Sequence, residues 1–293
     1  MSNYNYKIKP INLDDVVKYD KAKYNSNNHW INDIRPDDYE QVLLQTNTSK
    51  WIDLFKPGTK RIKIINQTWI EWFKKANEIS CQTGRFTKLY EDEIQIISNE
   101  LNNMYPNVFN NRGGYFVRVN NVSLKYGEHK EGPYYSFKQI LESSLSCIKG
   151  HSPIKENTTE LIIYFLDWVK IDPCYEFRVF VFENKITAIS QQNLYSILFE
   201  EYDNCLDKFE LKIKLKLDMI VDYFYSVMTY KIDWINCYTF DISIVNSNPY
   251  FIELNSFGKE YAAGSALFHW LLDENILYNR FETNNVIEFR YTK

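Results

Sequence analysis

Two short runs near the end of the sequence carry oxygen-bearing side chains at a spacing that could bind a hard metal ion. Residues 240–243 and 251–255 both alternate apolar and polar residues, which predicts two β-strands. Side chains two apart on a strand share a face, so Glu253 and Asn255 point the same way, and Asp241 lies on the preceding run. Two carboxylates and an amide oxygen suit Mg2+ carried by a nucleotide phosphate better than they suit zinc. The alternative is a pair of solvated acids on an ordinary hairpin.

The turn between these two runs sets a geometric condition for such a cluster. Opposed residues of an antiparallel pair lie on the same face of the sheet. An even loop centred between Ser247 and Asn248 would pair Asp241 with Leu254 and separate the acids, whereas an odd loop would pair Asp241 with Glu253. The cluster therefore predicts either an odd turn or a β-bulge that shifts the register.

Cationic side chains occur on two further predicted strands. Arg118 lies in the apolar run 113–119, and Lys125 follows it seven residues later. They are either two cations that reach one set of phosphates from a strand and its exit loop, or an edge-strand arginine and a surface lysine. Glu176 and Arg178 are two residues apart on another strand and share a face, which fits an internal ion pair or a role in a site.

Composition excludes several classes of protein. A net charge of −4 argues against a general nucleic-acid coat, although it leaves room for a local basic groove. The five cysteines are odd in number, widely spread and without a CxxC pair, so zinc and a disulfide framework are disfavoured and a reducing compartment is indicated. The N-terminus has no apolar signal region, and no run approaches the length of a membrane span. These features predict a cytoplasmic protein without a membrane segment.

Periodicity gives a coarse map of the remaining chain. Helices are predicted at 37–44, from an N-cap at Thr68 onward, at 92–104, from an N-cap at Ser136 to 150, and at 209–224. Strands are predicted at 113–119, 161–166, 177–182 and 185–190. Residues 209–221 also alternate like a strand, but the helical pattern continues to Phe224 without a break, so we predict a helix. There is no P-loop, dinucleotide fingerprint or nucleophile elbow, and covalent hydrolase chemistry has no support.

Five separated blocks resemble the cell-division-cycle-123 (D123) family in order and spacing. They are DPCYEFRVFV at 172–181, AISQQ at 188–192, FD at 240–241, IELNSFG at 252–258 and ALFHW at 266–270. The resemblance covers roughly residues 112–275 and implies the α+β ATP-grasp fold, in which two α+β lobes hold ATP between them. It divides the chain into a mixed, helix-leaning N-terminal region (1–110), a first lobe with the phosphate loop and hinge (111–170), and a second lobe with the Mg2+ site (171–293).

The resemblance also implies roles for individual residues of the first lobe. Arg118 and Lys125 are similar to the strand and loop cations that hold ATP phosphates, and Lys125 is a candidate catalytic residue. Residues 165–170 resemble the hinge whose backbone receives adenine, so Trp168 and Val169 are candidate cofactor-binding residues.

In the second lobe the resemblance implies both cofactor and metal contacts. Arg178 is similar to a phosphate-side cation and is a candidate catalytic residue, and Glu176 shares its face as a candidate cofactor contact. Asp241, Glu253 and Asn255 are similar to the acid, acid and asparagine that hold Mg2+ in ATP-grasp proteins.

Three departures from the eukaryotic pattern bear on function. Gln192-Asn193 replaces a basic–acidic pair, the loop at 122–125 lacks proline, and Glu253 stands where aspartate is usual. These departures place the chain among divergent viral or bacterial-type members. The main prediction is an ATP-dependent ligase that phosphorylates a carboxylate and joins it to the amine of a protein or peptide acceptor. The alternative is an assembly factor for the gamma subunit of translation initiation factor 2 that uses ATP as a ligand. A third alternative, an RNA ligase, is disfavoured by the acidic chain, and nucleic acid is not expected as a partner.

Overall fold

The computed structural model describes residues 4–198, 206–261, 263–280 and 286–293 and divides the chain into two compact units. The inserted unit comprises Thr48–Lys170, and the terminal unit comprises Met1–Asn47 together with Ile171–Lys293. The predicted N-terminal region 1–110 is thus shared between the units, because its first strand and its second strand pair with different sheets. Within the described ranges, no helix has the length and apolar character that crossing a membrane requires.

The inserted unit is an antiparallel sheet packed against helices. Its three strands are β2 (Lys60–Ile64), β3 (Tyr115–Val119) and β4 (Leu161–Asp167), in the order β2-β4-β3. Its helices are α3 (Thr48–Phe55), α4 (Gln67–Ser80), α5 (Glu91–Met104) and α6 (Phe137–Ser146), followed by a 3-10 turn at Lys149–His151. The fully apolar strand β4 is central, as predicted, because both of its faces are buried.

Two helices of this unit begin at residues whose side chains accept hydrogen bonds from the first helical N–H groups. Ser136 caps α6 as predicted, since its side chain accepts a hydrogen bond from the Gln139 N–H. The cap of α4 is Asn66 rather than the predicted Thr68, and the Asn66 side chain accepts from the N–H groups of Thr68 and Trp69. Asparagine is a stronger N-cap than threonine, which explains the earlier start.

The terminal unit is built on a six-stranded mixed sheet. Its strands are β1 (Asn5–Ile11), β5 (Glu176–Phe182), β6 (Lys185–Gln191), β7 (Tyr238–Val245), β8 (Asn248–Ser256) and β9 (Val286–Thr292), in the order β1-β9-β6-β5-β7-β8. β9 pairs in parallel with β1 and β6, and the other neighbours are antiparallel. Its helices are α1 (Leu13–Lys18), α2 (Tyr39–Gln45), α7 (Leu206–Tyr223), α8 (Thr229–Lys231) and α9 (Glu274–Leu277).

One face of this sheet packs on α7, and the acidic residues of the candidate cluster lie on the other face. α7 is helical as predicted, and its buried stripe includes Phe209, Ile213 and Leu217. The π-helical turn that follows places Phe224 in a parallel stack on Phe240 of β7, with ring centroids 6.1 Å apart. Because adjacent strand residues point to opposite faces, Asp241 projects away from α7.

Candidate functional site

The hairpin that joins β7 to β8 has an even turn and a bulge. Asn246 and Ser247 form a two-residue turn with φ values of 50° and 61°, the left-handed pair that hairpin turns of this length require. The ladder runs regularly from the turn to Ile242, which lies opposite Phe251, and the register then shifts so that Asp241 lies opposite Glu253. The condition that a bulge should shift the register is therefore confirmed, and the two carboxylates share one face of the sheet.

The acidic pair belongs to a polar row that crosses the strands. Arg178 of β5 lies opposite Asp241, Ser190 of β6 lies opposite Arg178, and Arg290 of β9 lies opposite Ser190. With Glu253 at its end, the row places two arginines and two acids on one face. The terminal unit therefore brings a cation and two carboxylates together on three neighbouring strands, β5, β7 and the edge strand β8.

Arg178 and Asp241 form a buried bidentate ion pair. Arg178 Nε donates to Asp241 Oδ1 at 2.8 Å, and Nη2 donates to Oδ2 at 2.7 Å. Nη1 donates to the Gly264 carbonyl at 2.6 Å, so each nitrogen of the guanidinium is engaged. Asp241 is 1% exposed and Arg178 7%. This pair fixes the orientation of the Asp241 carboxylate.

The remaining predicted ligands border this pair. Asn255 Nδ2 donates to Asp241 Oδ2 at 3.5 Å. The amide nitrogen therefore faces the carboxylate, and the amide oxygen remains as an acceptor or metal ligand. Glu253 and Asn255 are half-buried on the same strand face. The hydroxyls of Thr239 and Ser243, which flank Asp241 on its own face, are buried and have no hydrogen-bond partner among the described residues. Buried hydroxyls without partners indicate a place where water or a ligand completes the structure.

The charges in the polar row shift the pKa values of Arg178 and Asp241. Burial works to lower the pKa of Arg178, but the attraction of Asp241 raises it overall, so the guanidinium stays charged. Burial raises the pKa of Asp241; Arg178 opposes that rise, and the neighbouring Glu253 carboxylate adds to it. Two carboxylates in one site therefore repel each other, which a divalent cation would relieve.

The donor set fits Mg2+ carried by phosphates better than a metal held by protein alone. Among the described residues, no group of three or more histidines, cysteines, aspartates or glutamates could hold a metal ion. Asp241, Glu253 and the Asn255 amide supply hard oxygen donors but too few for a closed shell. Mg2+ is commonly bound by one or two carboxylates with substrate phosphates completing its coordination.

Glu176 occupies the start of β5 on the same face as Arg178. It lies opposite Ser243, one of the two hydroxyls without a partner, and its carbonyl accepts from the Gln192 N–H at 2.9 Å. Its side chain is half-buried, two residues before Arg178 on the same face of β5. Glu176 and Arg178 thus share one face of β5, as their spacing predicts.

The predicted phosphate cations of the inserted unit differ in exposure. Arg118 is 4% exposed, its Nε donates to Thr48 Oγ1 at 3.4 Å, and its guanidinium lies 5.3 Å from the centre of the Trp51 ring. Lys125 is exposed on the loop that follows β3, with Nζ 5.5 Å from the Tyr126 ring centre. Lys125 is therefore accessible to a ligand from solvent. Arg118 is buried against Thr48 and Trp51, and its contacts also stabilise α3.

The predicted hinge follows β4 as an irregular segment. The Trp168 N–H donates to the Gly114 carbonyl at 3.2 Å, which anchors the segment to the start of β3. In the part of the chain that the structure describes, neither backbone group of Val169 has a hydrogen-bond partner. Both side chains are half-buried. A free N–H and carbonyl on a half-buried residue can recognise the edge of a planar heterocycle.

Sequence reasoning missed two contributions to these sites. The Gly264 carbonyl that holds Arg178 comes from a loop with no local motif for such a contact. His151 stacks on Tyr126 beside Lys125, although twenty-five residues separate the two rings in sequence. Neither has a sequence signal, because both depend on tertiary packing.

Comparison with solved structures identifies the fold. C-terminally truncated Cdc123 from Schizosaccharomyces pombe matches 86% of this chain and 97% of that chain, with 15% identity and a TM-score of 0.57. A second structure of Cdc123 from Schizosaccharomyces pombe matches 85% and 97%, with 16% identity and a TM-score of 0.54. D-alanyl-alanine synthetase A from Vibrio cholerae O1 biovar eltor str. N16961 matches 78% and 59%, with 12% identity and a TM-score of only 0.29. The predicted α+β fold of the ATP-grasp type is confirmed by the likeness to Cdc123.

Sequence comparison gives one family. A family model described as D123 matches residues 137–293, more than half of the chain. The match includes all of the terminal unit after residue 170 and the end of the inserted unit. No curated protein matches.

Proposed function

The chain belongs to the D123 family, and from that premise we propose that it binds ATP with Mg2+ and acts as an assembly factor for a protein partner. The observation that carries the nucleotide proposal is the pairing of Asp241 with Glu253 across the bulged hairpin. This pairing brings two carboxylates together beside an amide, and within the described ranges the flanking hydroxyls of Thr239 and Ser243 have no hydrogen-bond partner.

The residues of the terminal unit would hold the metal. Asp241, Glu253 and the Asn255 amide oxygen are the ligands that we assign to Mg2+, which would neutralise phosphate charge when bound. Arg178 holds the Asp241 carboxylate in one orientation through two hydrogen bonds of 2.8 and 2.7 Å. Glu176 and Ser243 lie opposite each other on β5 and β7, next to Arg178 and Asp241, where they can bind metal-coordinated water.

The residues of the inserted unit would hold the nucleotide. We assign the adenine edge to the backbone N–H and carbonyl of Val169, with Trp168 positioning that segment through its bond to Gly114. Lys125 and Arg118 are assigned to the phosphates. Lys125 is exposed, and Arg118 combines such a role with its contact to Trp51.

One observation favours assembly over ligation. Phosphoryl transfer needs cations aimed at the charge that develops in the transition state. Arg178, the predicted catalytic cation, already uses Nε, Nη1 and Nη2 on Asp241 and Gly264. A guanidinium held in this way supports a bound MgATP complex more readily than turnover. The partner that family membership suggests is the gamma subunit of translation initiation factor 2.

Thermal unfolding with nucleotide tests the binding proposal. MgATP should raise the melting temperature, because a ligand that binds only the folded state stabilises it. Asp241→Ala, Glu253→Ala and Asn255→Ala should each reduce that rise, whereas Glu183→Gln, which removes an exposed charge from the β5–β6 turn of the same unit, should not. No rise with millimolar MgATP in the wild-type protein would refute the proposal.

Single-turnover analysis separates assembly from ligation. The protein is incubated with γ-labelled ATP, Mg2+ and purified initiation factor 2 gamma. An assembly factor should form a complex with the partner while the label stays on ATP. Labelled phosphate released only when a carboxylate and an amine substrate are supplied would instead establish the ligase.

A further inference from the structure

A stacked pair of rings stands beside Lys125 on the loop after β3. The rings of Tyr126 and His151 have centroids 4.0 Å apart and planes inclined by 27°, which is a close stack. Lys125 Nζ lies 5.5 Å from the centre of the Tyr126 ring. His151 comes from the 3-10 turn after α6, so two separate segments place a lysine and a histidine at one tyrosine ring.

Lys125 and His151 lie outside the ion pairs of the described part of the chain. Among the described residues, neither Lys125 nor His151 forms an ion pair, although the chain as a whole has a net charge of −4. Both residues are exposed, and Tyr126 is 41% exposed. Uncompensated positive charge beside an aromatic face in an acidic protein marks a place where an anion gains by binding.

The loop that carries Lys125 is held by the buried serines of α6. The N–H groups of Glu128 and His129 donate to Ser146 Oγ and Ser143 Oγ at 2.8 and 3.0 Å. Gly127 lies so close to α6 that a Cβ there would come within 2.2 Å of the Ser143 carbonyl oxygen. The backbone next to Lys125 and Tyr126 is therefore fixed before any ligand arrives, which lowers the entropy lost on binding.

We propose that His151 is a second phosphate-binding residue, and that the His151 ring and the Lys125 ammonium bind the phosphate chain of the same nucleotide while Tyr126 holds both in place. This inference rests on the proposed binding of MgATP. It adds to the phosphate loop a residue that lies outside the loop in sequence.

The charge state of His151 gives the inference a specific signature. Desolvation lowers the pKa of the His151 ring, and the positive charge of Lys125 lowers it further. Lys125 and Tyr126 face the ring from the loop, and Lys149 belongs to its own turn. A phosphate would favour the protonated ring, so binding should take up a proton and strengthen as the pH falls.

Calorimetric titration of the full-length protein with MgATP at pH 6 and pH 8 tests the inference. His151→Gln removes the charge, and His151→Phe keeps a ring that can stack on Tyr126 but cannot bind phosphate. Both variants should weaken binding by about fivefold at pH 6, the upper range for an exposed ion pair, and by much less at pH 8. Comparing variant with wild type at each pH cancels the titration of the nucleotide itself.

Lys75→Gln is the matched control, since Lys75 is an exposed lysine of α4 outside the stack. It should leave the affinity unchanged at both pH values. If His151→Phe binds as the wild type does, or if the loss is the same at pH 6 and pH 8, His151 only packs and the inference is overturned. If the wild-type protein fails to bind MgATP at all, the proposed function falls, and this inference falls with it.

Discussion

Replacing Arg178 should destabilise the terminal unit strongly when no metal is present. Arg178→Met removes two charge-assisted hydrogen bonds of 2.8 and 2.7 Å from Asp241 and one of 2.6 Å from the Gly264 carbonyl. Asp241 is 1% exposed, so its charge would be left buried beside Glu253. Loss of one partner of a buried ion pair costs about 3–5 kcal/mol, and we expect a value in that range.

A double-mutant cycle isolates the ion pair from the rest of the cost. Arg178→Met combined with Asp241→Leu removes both charges and leaves apolar side chains in their place. Such a replacement is often neutral or stabilising, so the double variant should be far more stable than the sum of the single changes predicts. Mg2+ without nucleotide should restore part of the stability of Arg178→Met, because the divalent ion can replace the guanidinium as counter-ion to Asp241.

Hydrogen exchange on peptides from β5 and β7 is the measurement, because it reports the stability of this sheet separately from the inserted unit. Arg178→Met should accelerate exchange in both strands, and Mg2+ should slow it again. Lys185→Met, at an exposed position on β6 of the same sheet, is the control and should change little. Additive single changes, or an effect of Arg178→Met below about 1 kcal/mol, would refute the reasoning.

Three further changes test the local geometry. Gly127→Ala should lower stability by about 1–3 kcal/mol in thermal unfolding, because its Cβ would meet the Ser143 carbonyl oxygen at 2.2 Å; an unchanged melting temperature would contradict that contact. Ser247→Gly should raise stability by about 0.5–1 kcal/mol in urea unfolding, since φ there is 61°; a loss would contradict the left-handed turn. Deleting Ile252 should keep the carboxylates opposed and preserve MgATP binding measured by calorimetry, whereas deleting Leu254 should abolish it; equal loss in both would contradict the bulge.

The register of the β7–β8 hairpin shows how far sequence reasoning reaches. The requirement that Asp241 face Glu253 limited the connection to an odd turn or a bulge. The sequence could not choose between them, because Asn246 and Ser247 tolerate the left-handed conformation but do not demand it. The choice depends on how the strand packs on both faces, where Phe251 is buried and Ile252 is half-buried. The sequence could state what the site requires of the hairpin, but only the tertiary structure shows that a bulge meets that requirement.

The pairing of strands that are distant in sequence could not be predicted from local sequence patterns. The first strand, Asn5–Ile11, was not predicted, and its parallel partner Val286–Thr292 lies at the opposite end of the chain. Parallel neighbours leave no turn signal in the sequence, since they are joined by distant segments. The helix at Leu206–Tyr223 was predictable because its buried stripe continued over several turns, which outweighed the local alternation of lysine and leucine.

The ion pair between Arg178 and Asp241 unites two interpretations that sequence alone kept apart. Spacing offered an internal pair between Glu176 and Arg178 or a role in a site, and the structure pairs Arg178 with Asp241, a residue of the candidate site. Such a pair orients the metal ligand, and it also reduces the negative charge that would attract Mg2+ without nucleotide. Mg2+ that arrives with ATP phosphates completes its coordination with those phosphates, so it depends less on protein charge. The pair therefore favours the nucleotide complex over the bare ion, as a protein that holds MgATP requires.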